Sequence, residues 1–201
     1  MSSVSQTDDT RSQKRELRRA LRARRRALPR WRQRSAARRM ARLMSRQHWY
    51  QRARSLAVYL ANDAEIDPSL FIFKAFAEGK RLLLPRLRGK QLEFVHYRPR
   101  DSSLRRNRFN IPEPVGRAVP LRNIDVICMP LVGFDRQGRR LGMGGGFYDR
   151  TLAVERSGVK RRPRLIGLAY ACQEVAQLPH EQWDVRMSGV VTESEWIRTR
   201  R

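Results

Sequence analysis

The chain has 201 residues, of which 40% are hydrophobic and 31% are charged, and its formal net charge is +25. No uninterrupted apolar run reaches the length of a transmembrane helix, and the N-terminus lacks the apolar stretch of a secretory signal. Cys128 and Cys172 lie in or beside apolar runs without metal-ligand spacing, so we expect reduced thiols and a cytoplasmic protein.

The N-terminal quarter carries most of the positive charge and is predicted to be helical. Residues 1–54 contain 18 Lys and Arg against 3 Asp and Glu. Residues 1–10 are small and polar, which predicts a disordered tail. Residues 11–28 have a narrow apolar stripe at helical spacing that ends at Pro29, and a second helix is predicted over 31–49.

From residue 55 onward, short apolar runs alternate with amphipathic segments. Strands are predicted over 55–60, 81–84, 91–97, 124–129, 164–169 and 189–192, helices over 68–78 and 148–156, and loops over 98–124 and 130–147. This alternation is typical of βαβ units. It predicts one three-layer α/β domain over residues 11–201, with a mostly parallel sheet, flanking helices and the Arg-rich helices of residues 11–54 packed against it.

The segment of residues 130–151, PLVGFDRQGRRLGMGGGFYDRT, carries the richest chemistry. It follows a predicted buried strand and precedes a predicted helix, which is where ligands bind in open α/β sheets. Its glycines allow close approach of a ligand to backbone N–H groups, a geometry that suits phosphate. Arg139 and Arg140 add cations, and Asp149 could hold Mg²⁺. The same glycines would also fit a tight crossover that binds nothing.

Read as a whole, this segment resembles the signature of the 5-formyltetrahydrofolate cyclo-ligase family. The matching residues are Phe134, Asp135, Gly138, Arg140, Leu141, Gly142, Gly144, Gly146, Phe147, Tyr148 and Asp149. The rest of the chain is similar to the family at Lys14, Leu17 and Arg18, at VYLANDAEID, at NIPEP and at residues 178–193. Phe109 stands where the family has Trp, and Ser188 stands where an Asp is more usual.

The resemblance and the loop chemistry together assign the site residues. ATP would bind Lys14, Arg18, Arg140, Leu141, Gly142, Met143, Gly144, Gly145, Gly146, Phe147 and Tyr148. The folate would bind Leu60, Glu65, Phe109, Phe147 and Tyr148, although Phe147 or Tyr148 could instead anchor the loop to the core. Mg²⁺ would bind Asp149 and Asp184, and Lys14, Arg140 and Tyr148 would act in catalysis.

The implied activity is the ATP- and Mg²⁺-dependent cyclisation of 5-formyltetrahydrofolate, possibly polyglutamylated, to 5,10-methenyltetrahydrofolate, with release of ADP and phosphate. We expect a monomer without a membrane partner. One rival interpretation is RNA or other nucleic-acid binding by the Arg-rich helices, as the main or a secondary role, with Trp31, Trp49 and Tyr50 available for stacking. The other rival is a catalytically inactive folate or nucleotide binder.

Overall fold

A computed structural model describes residues 3–100, 103–154, 162–181 and 184–199. Its N-terminal helices are α1 (Ser3–Arg26), α2 (Arg30–Ser45) and α3 (His48–Arg52). Helix α1 begins at Ser3, so it extends into the segment predicted as a disordered tail, because adding residues to an existing helix costs far less than nucleating one. The predicted second helix is divided, since α2 ends at Ser45 and α3 is a separate short helix.

The main sheet has eight strands, which are β1 (Ser55–Ala57), β2 (Arg81–Arg88), β3 (Gln91–Tyr97), β6 (Ala118–Val119), β7 (Val126–Pro130), β10 (Arg164–Leu168), β11 (Gly189–Val191) and β12 (Trp196–Arg198). Their order in the sheet is β12-β11-β10-β7-β1-β2-β3-β6. The two small hairpins are β4 (Arg105–Arg106) with β5 (Pro112–Glu113), and β8 (Gly133–Phe134) with β9 (Arg140–Leu141). The remaining helices are α4 (Ser69–Ala77) and α5 (Phe147–Val154).

The five central strands of the sheet are parallel, and the antiparallel strands lie towards its edges. Strands β11, β10, β7, β1 and β2 run in one direction, whereas β12, β3 and β6 pair antiparallel to their neighbours. The mostly parallel α/β architecture is therefore confirmed. Strand β1 is buried along its whole length, which explains why its sequence reads as a continuous apolar run rather than an alternation.

Two apolar clusters cover the two faces of the sheet. On one face, Leu56 and Cys128 pack with Met40 and Met44 of α2 and with Phe71 of α4. On the other face, their chain neighbours Ala57 and Ile127 pack in a cluster that contains Leu152 of α5. Because successive strand residues point to opposite faces, both layers draw on the same strands.

Several element boundaries differ from the predictions. Strand β2 continues through Pro85, which was predicted to end it, and Pro85 pairs with Phe94. The nitrogen of Pro85 lies on the same side of β2 as Leu83, whose carbonyl accepts the N–H of Val58. Strand β1 ends at Ala57, opposite Leu83, so no ladder hydrogen bond is lost at Pro85.

The remaining differences concern short strands. The predicted strand 55–60 is assigned only over Ser55–Ala57, and the predicted loops 98–124 and 130–147 contain strands of two residues each. Strand β12 was not predicted at all.

Among the described residues, no helix combines the length and the apolar character that a membrane span requires.

Candidate active site

The segment after β7 is shaped by a buried carboxylate. Asp135 is fully buried and accepts hydrogen bonds from the backbone N–H groups of Gln137, Arg139 and Leu178, at 2.9, 3.0 and 3.0 Å. The β8–β9 hairpin forms around Asp135, and the N–H of Val132 donates to the carbonyl of Leu141 in β9 at 2.8 Å. In the sequence, Asp135 is simply one residue of the signature. In the structure, its carboxylate stabilises the turn that precedes the glycine-rich residues.

Residues 142–146, which we call the glycine loop, contain three positions that need glycine, for two different reasons. Gly144 and Gly146 have φ angles of +99° and +60°, which other residues rarely adopt. A Cβ atom on Gly145 would lie 2.5 Å from the ring of Phe147. Gly142 to Gly145 are exposed, so their backbone remains accessible to a ligand.

Helix α1 brings two of the predicted cations to this loop. Arg18 Nε donates to the Gly142 carbonyl at 2.8 Å. Lys14, one turn earlier on the same helix face, pairs with Asp184 at 3.1 Å and with Glu181 at 3.4 Å. The Lys14 side chain is only 13% exposed, so it belongs to the site and not to a solvated helix face. Burial lowers the pKa of Arg18, and the nearby Asp184 opposes that shift.

Arg140 and Asp149 form an ion pair on the other side of the loop. Arg140 Nη2 pairs with Asp149 Oδ1, and Arg140 Nη1 donates to the Val185 carbonyl. The Val185 N–H in turn donates to Asp149 Oδ1 at 3.3 Å. Since Val185 follows Asp184 in the chain, these contacts bring the two predicted metal ligands, Asp149 and Asp184, into one neighbourhood.

The two carboxylates fit a magnesium ion that is held mainly by phosphate oxygens. Asp149 uses Oδ1 and Asp184 uses Oδ2 in the contacts above, so among the described contacts each keeps its other oxygen. Nowhere in residues 3–100, 103–154, 162–181 and 184–199 do three or more His, Cys, Asp or Glu form a metal cluster. Mg²⁺ in nucleotide sites commonly takes one or two carboxylates, with phosphate and water completing its shell.

Among the predicted folate residues, Glu65 has the most perturbed carboxyl environment. Burial raises the pKa of Glu65 to about 7, although the Asn62 N–H donates to its Oε2 at 3.1 Å. Burial also raises the pKa of Tyr148, and the charge of Glu65 is the next cause. Leu60 is half-buried and packs against the core cluster that contains β1.

Phe109 and Phe147, two further predicted folate residues, form an aromatic pair. Phe109 is 51% exposed, and its ring centroid lies 6.2 Å from that of Phe147, edge to face. The guanidinium of Arg108 lies over Phe109 at 5.0 Å, and that of Arg150 lies over Phe147 at 5.5 Å. The exposed Phe109 ring is therefore available to a flat ligand.

Residues 58–68 connect β1 to α4, and we call them the Glu65 loop. The Asp63 carboxylate binds this loop to helix α1 through three arginines. Asp63 accepts hydrogen bonds from Arg22 Nε at 2.9 Å, from Arg25 Nη2 at 2.8 Å and from Arg26 Nε at 2.6 Å. Burial raises the pKa of the Asp63 carboxyl, but the hydrogen bonds from Arg22 and Arg26 outweigh burial and hold the pKa below its usual value.

The Asp63 cluster reaches into the core and constrains the backbone. Arg25 is fully buried, and its Nη1 donates to the Leu131 carbonyl at 3.1 Å. Asp63 and Ala64 both have positive φ angles, 51° and 58°, which non-glycine residues adopt only under local constraint. No local sequence pattern identifies this cluster, because the arginines and Asp63 are 37 to 41 residues apart.

Comparison with known proteins agrees with this geometry. A model of the 5-formyltetrahydrofolate cyclo-ligase family matches residues 10–193. The chain belongs to this family. The 5-formyltetrahydrofolate cyclo-ligase of Escherichia coli (strain K12) is 44% identical over 153 residues, which cover 72% of this chain and 82% of that protein. That of Haemophilus influenzae is 39% identical over 147 residues, which cover 70% and 76%.

A solved structure supports the same assignment of this cyclo-ligase family member. The NMR structure of Aquifex aeolicus 5,10-methenyltetrahydrofolate synthetase superposes with a TM-score of 0.80 at 29% identity, covering 94% of this chain and 93% of that one. The family match also spans Lys14, the glycine loop and Asp184, the three parts that the fold brings together.

The raised pKa of Glu65 predicts a pH-dependent stability. Between its ordinary value of 4.5 and about 7, the folded protein binds this proton more tightly than the unfolded chain does. The free energy of unfolding should therefore fall as pH rises through this window, and the cost should be complete above about pH 7. Glu65→Gln removes the titrating group. Its free energy of unfolding, relative to that of wild type, should therefore rise by about 1–2 kcal/mol between about pH 5 and pH 8. Urea unfolding at the two pH values measures this difference.

Glu78 supplies a control with a flat response. Hydrogen bonds from Lys74 and Tyr50 lower the pKa of Glu78 from its ordinary value of 4.5, so its stabilising effect is complete above that value and is lost only as pH falls below it. The stability difference between Glu78→Gln and wild type should therefore stay nearly constant between about pH 5 and pH 8. An equal stability difference between Glu65→Gln and wild type at both pH values would contradict the assignment of Glu65.

Proposed function

We propose that this chain catalyses the ATP- and Mg²⁺-dependent cyclisation of 5-formyltetrahydrofolate to 5,10-methenyltetrahydrofolate, with release of ADP and phosphate. The observation that carries the proposal is the meeting of Lys14 and Arg18 of α1 with the glycine loop and with Asp184. This arrangement suits the phosphates of a nucleotide, and Arg22, one turn after Arg18 on α1, binds Asp63 of the Glu65 loop. The names of the Escherichia coli and Haemophilus influenzae relatives support the same substrate.

The chemistry requires activation of a formamide. Its carbonyl carbon is a poor electrophile, and its oxygen is a poor leaving group. In the proposed first step, the formyl oxygen attacks the γ-phosphorus of ATP, an O–P bond forms and ADP leaves. The N10 nitrogen then attacks the formyl carbon and loses its proton, and the C–O bond breaks to release phosphate. No covalent intermediate with the protein is needed, so the residues mainly position substrates and stabilise charge.

Charge at the phosphate end would be stabilised by Lys14, Arg18 and Arg140, together with the N–H groups of the glycine loop. Arg140 is 6% exposed and paired with Asp149, so its guanidinium is held in a fixed orientation. Asp149 and Asp184 would hold Mg²⁺, which supplies charge neutralisation for the phosphate oxygens. Lys14 Nζ lies 3.1 Å from Asp184 Oδ2, so a cation lies beside a carboxylate that would bind the metal.

At the folate end, the Glu65 carboxylate would accept hydrogen bonds from the amino and ring N–H groups of the pterin. Only the ionised form offers acceptors alone, so a pKa of about 7 makes folate affinity rise with pH through neutrality. Tyr148 would contact the reacting end of the substrate. Phe109 and Phe147 would contact the flat faces of the ligand.

One assay tests the proposal directly. Purified protein is incubated with 5-formyltetrahydrofolate, ATP and Mg²⁺, and the near-UV absorbance of the methenyl product is followed. We expect product only when all three are present, with ADP and phosphate formed in equal amounts. An inactive family member would bind the ligands and form no product, and that result would overturn the proposal.

Nucleic-acid binding by the N-terminal helices stays a prediction without specific support. Arg22, Arg25 and Arg26 of α1 all bind Asp63, so these three cations already have a carboxylate partner. The geometry therefore favours the enzymatic proposal over this rival.

A further inference from the structure

A cavity lies at the end of the sheet opposite the glycine loop. Its volume is about 740 Å³, and its lining includes Ser55 at the start of β1, Arg81 at the start of β2 and Asp125 just before β7. Because β1, β2 and β7 are parallel, their amino ends meet at this edge. The glycine loop follows the carboxyl end of β7, so the cavity is separate from the candidate active site.

Four arginines from three chain segments converge on this cavity. Arg52 and Arg54 come from the end of α3 and the residues after it, Arg81 begins β2, and Arg122 lies in the turn between β6 and β7. All four are exposed. None of their guanidinium groups forms a hydrogen bond or ion pair with a side chain in the described part of the chain, unlike the α1 arginines around Asp63.

The carboxylate that lines the cavity is committed to the backbone. Asp125 Oδ2 accepts the N–H groups of Arg54 and Ser55 at 2.8 and 2.9 Å, and the Ser55 hydroxyl at 3.0 Å. The lining therefore carries four arginines against one aspartate, a formal charge of +3. Guanidinium groups gathered around one hollow repel each other, and a multivalent anion bound among them would offset that repulsion.

We propose that this cavity binds a small molecule that carries a di- or triphosphate group. Guanidinium forks match pairs of phosphate oxygens, and arginines from three segments can reach more than one phosphate. The volume falls within the range of small-molecule sites. The arginines surround a concave hollow with Leu83 and Val119 in its lining, which favours a compact ligand over the extended backbone of a nucleic acid.

Calorimetric titration with inorganic pyrophosphate tests the proposal on the full chain. The test variant is the double substitution Arg54→Gln and Arg122→Gln, and the charge-matched control is Arg38→Gln and Arg39→Gln on the exposed face of α2. The wild type and the control should bind pyrophosphate at this cavity with the same affinity. The test variant should bind it about tenfold more weakly or worse, since two charge-assisted contacts are lost.

The cavity can be distinguished from the candidate active site by turnover. Formation of the methenyl product should be unchanged in the test variant, and the melting temperature should also be unchanged, because the substituted side chains are exposed. Arg54→Gln alone and Arg122→Gln alone should each weaken pyrophosphate binding. Equal weakening in the α2 control would overturn the proposal in favour of diffuse surface charge. Displacement of pyrophosphate by a short oligouridylate at lower concentration would overturn it in favour of an RNA site.

Discussion

The Asp149→Asn variant is expected to lose turnover by about a hundredfold or more, and to need a higher Mg²⁺ concentration for half-maximal rate. Asparagine keeps an oxygen that can accept from Arg140 and from the Val185 N–H, so the local geometry can persist. What disappears is the negative charge that would help to hold the metal. Methenyl formation measured across a Mg²⁺ titration gives both quantities.

The Mg²⁺ titration separates two roles of Asp149. If Asp149 only orients Arg140, the substitution should lower the maximal rate without moving the Mg²⁺ dependence. Glu174→Gln is the matched control, because the Glu174 side chain has the same 30% exposure as that of Asp149 and is also paired with an arginine, Arg136. Wild-type turnover in Asp149→Asn, or an equal loss in Glu174→Gln, would exclude the proposed metal role.

The second large effect is expected at Asp63, which we infer to position Glu65. Asp63→Asn should lower the free energy of unfolding by about 3 kcal/mol, because Arg25 is fully buried and would lose its carboxylate partner. The loop with positive φ angles at Asp63 and Ala64 would also lose its anchor. We therefore expect a raised KM for 5-formyltetrahydrofolate, with a smaller change in the KM for ATP. Denaturant unfolding and steady-state kinetics measure the two effects.

The contrast with a surface ion pair makes this prediction specific. Glu195→Gln also removes a carboxylate from an arginine, but Arg136 is 57% exposed and keeps Glu174 as a partner, so stability should change little. If Asp63→Asn does not fold well enough for kinetics, Arg26→Gln provides a milder test, since it removes one contact and leaves Arg25 paired. An unchanged folate KM in a folded Asp63→Asn protein would show that Glu65 is positioned without this cluster.

Local sequence patterns were sufficient for the central elements of the fold. The apolar runs at β1, β7 and β10 are buried on both faces, which makes them visible without any knowledge of their neighbours. The glycine loop was equally visible, because its φ angles depend on residues adjacent in the chain. Strand β6 was not predictable, because it exists only through pairing with β3, which lies 23 to 25 positions away. Strand β12 and the strands of the two small hairpins pair with residues only 5 to 9 positions away, but they are too short to show an alternating pattern.

For the candidate site, the sequence by itself was enough to propose which residues carry the chemistry, through the unbroken signature from Phe134 to Asp149. Only the tertiary structure decided where the basic helix goes. Lys14 contacts Asp184 across 170 positions and Arg18 contacts Gly142 across 124, and no local periodicity encodes such contacts. The role of Asp63 is likewise not encoded locally. Its expected contribution to stability depends on Arg25, which is buried and donates to the Leu131 carbonyl. An arginine on a helix has the same local signal whether it faces solvent or a carboxylate, because its partner is chosen by packing.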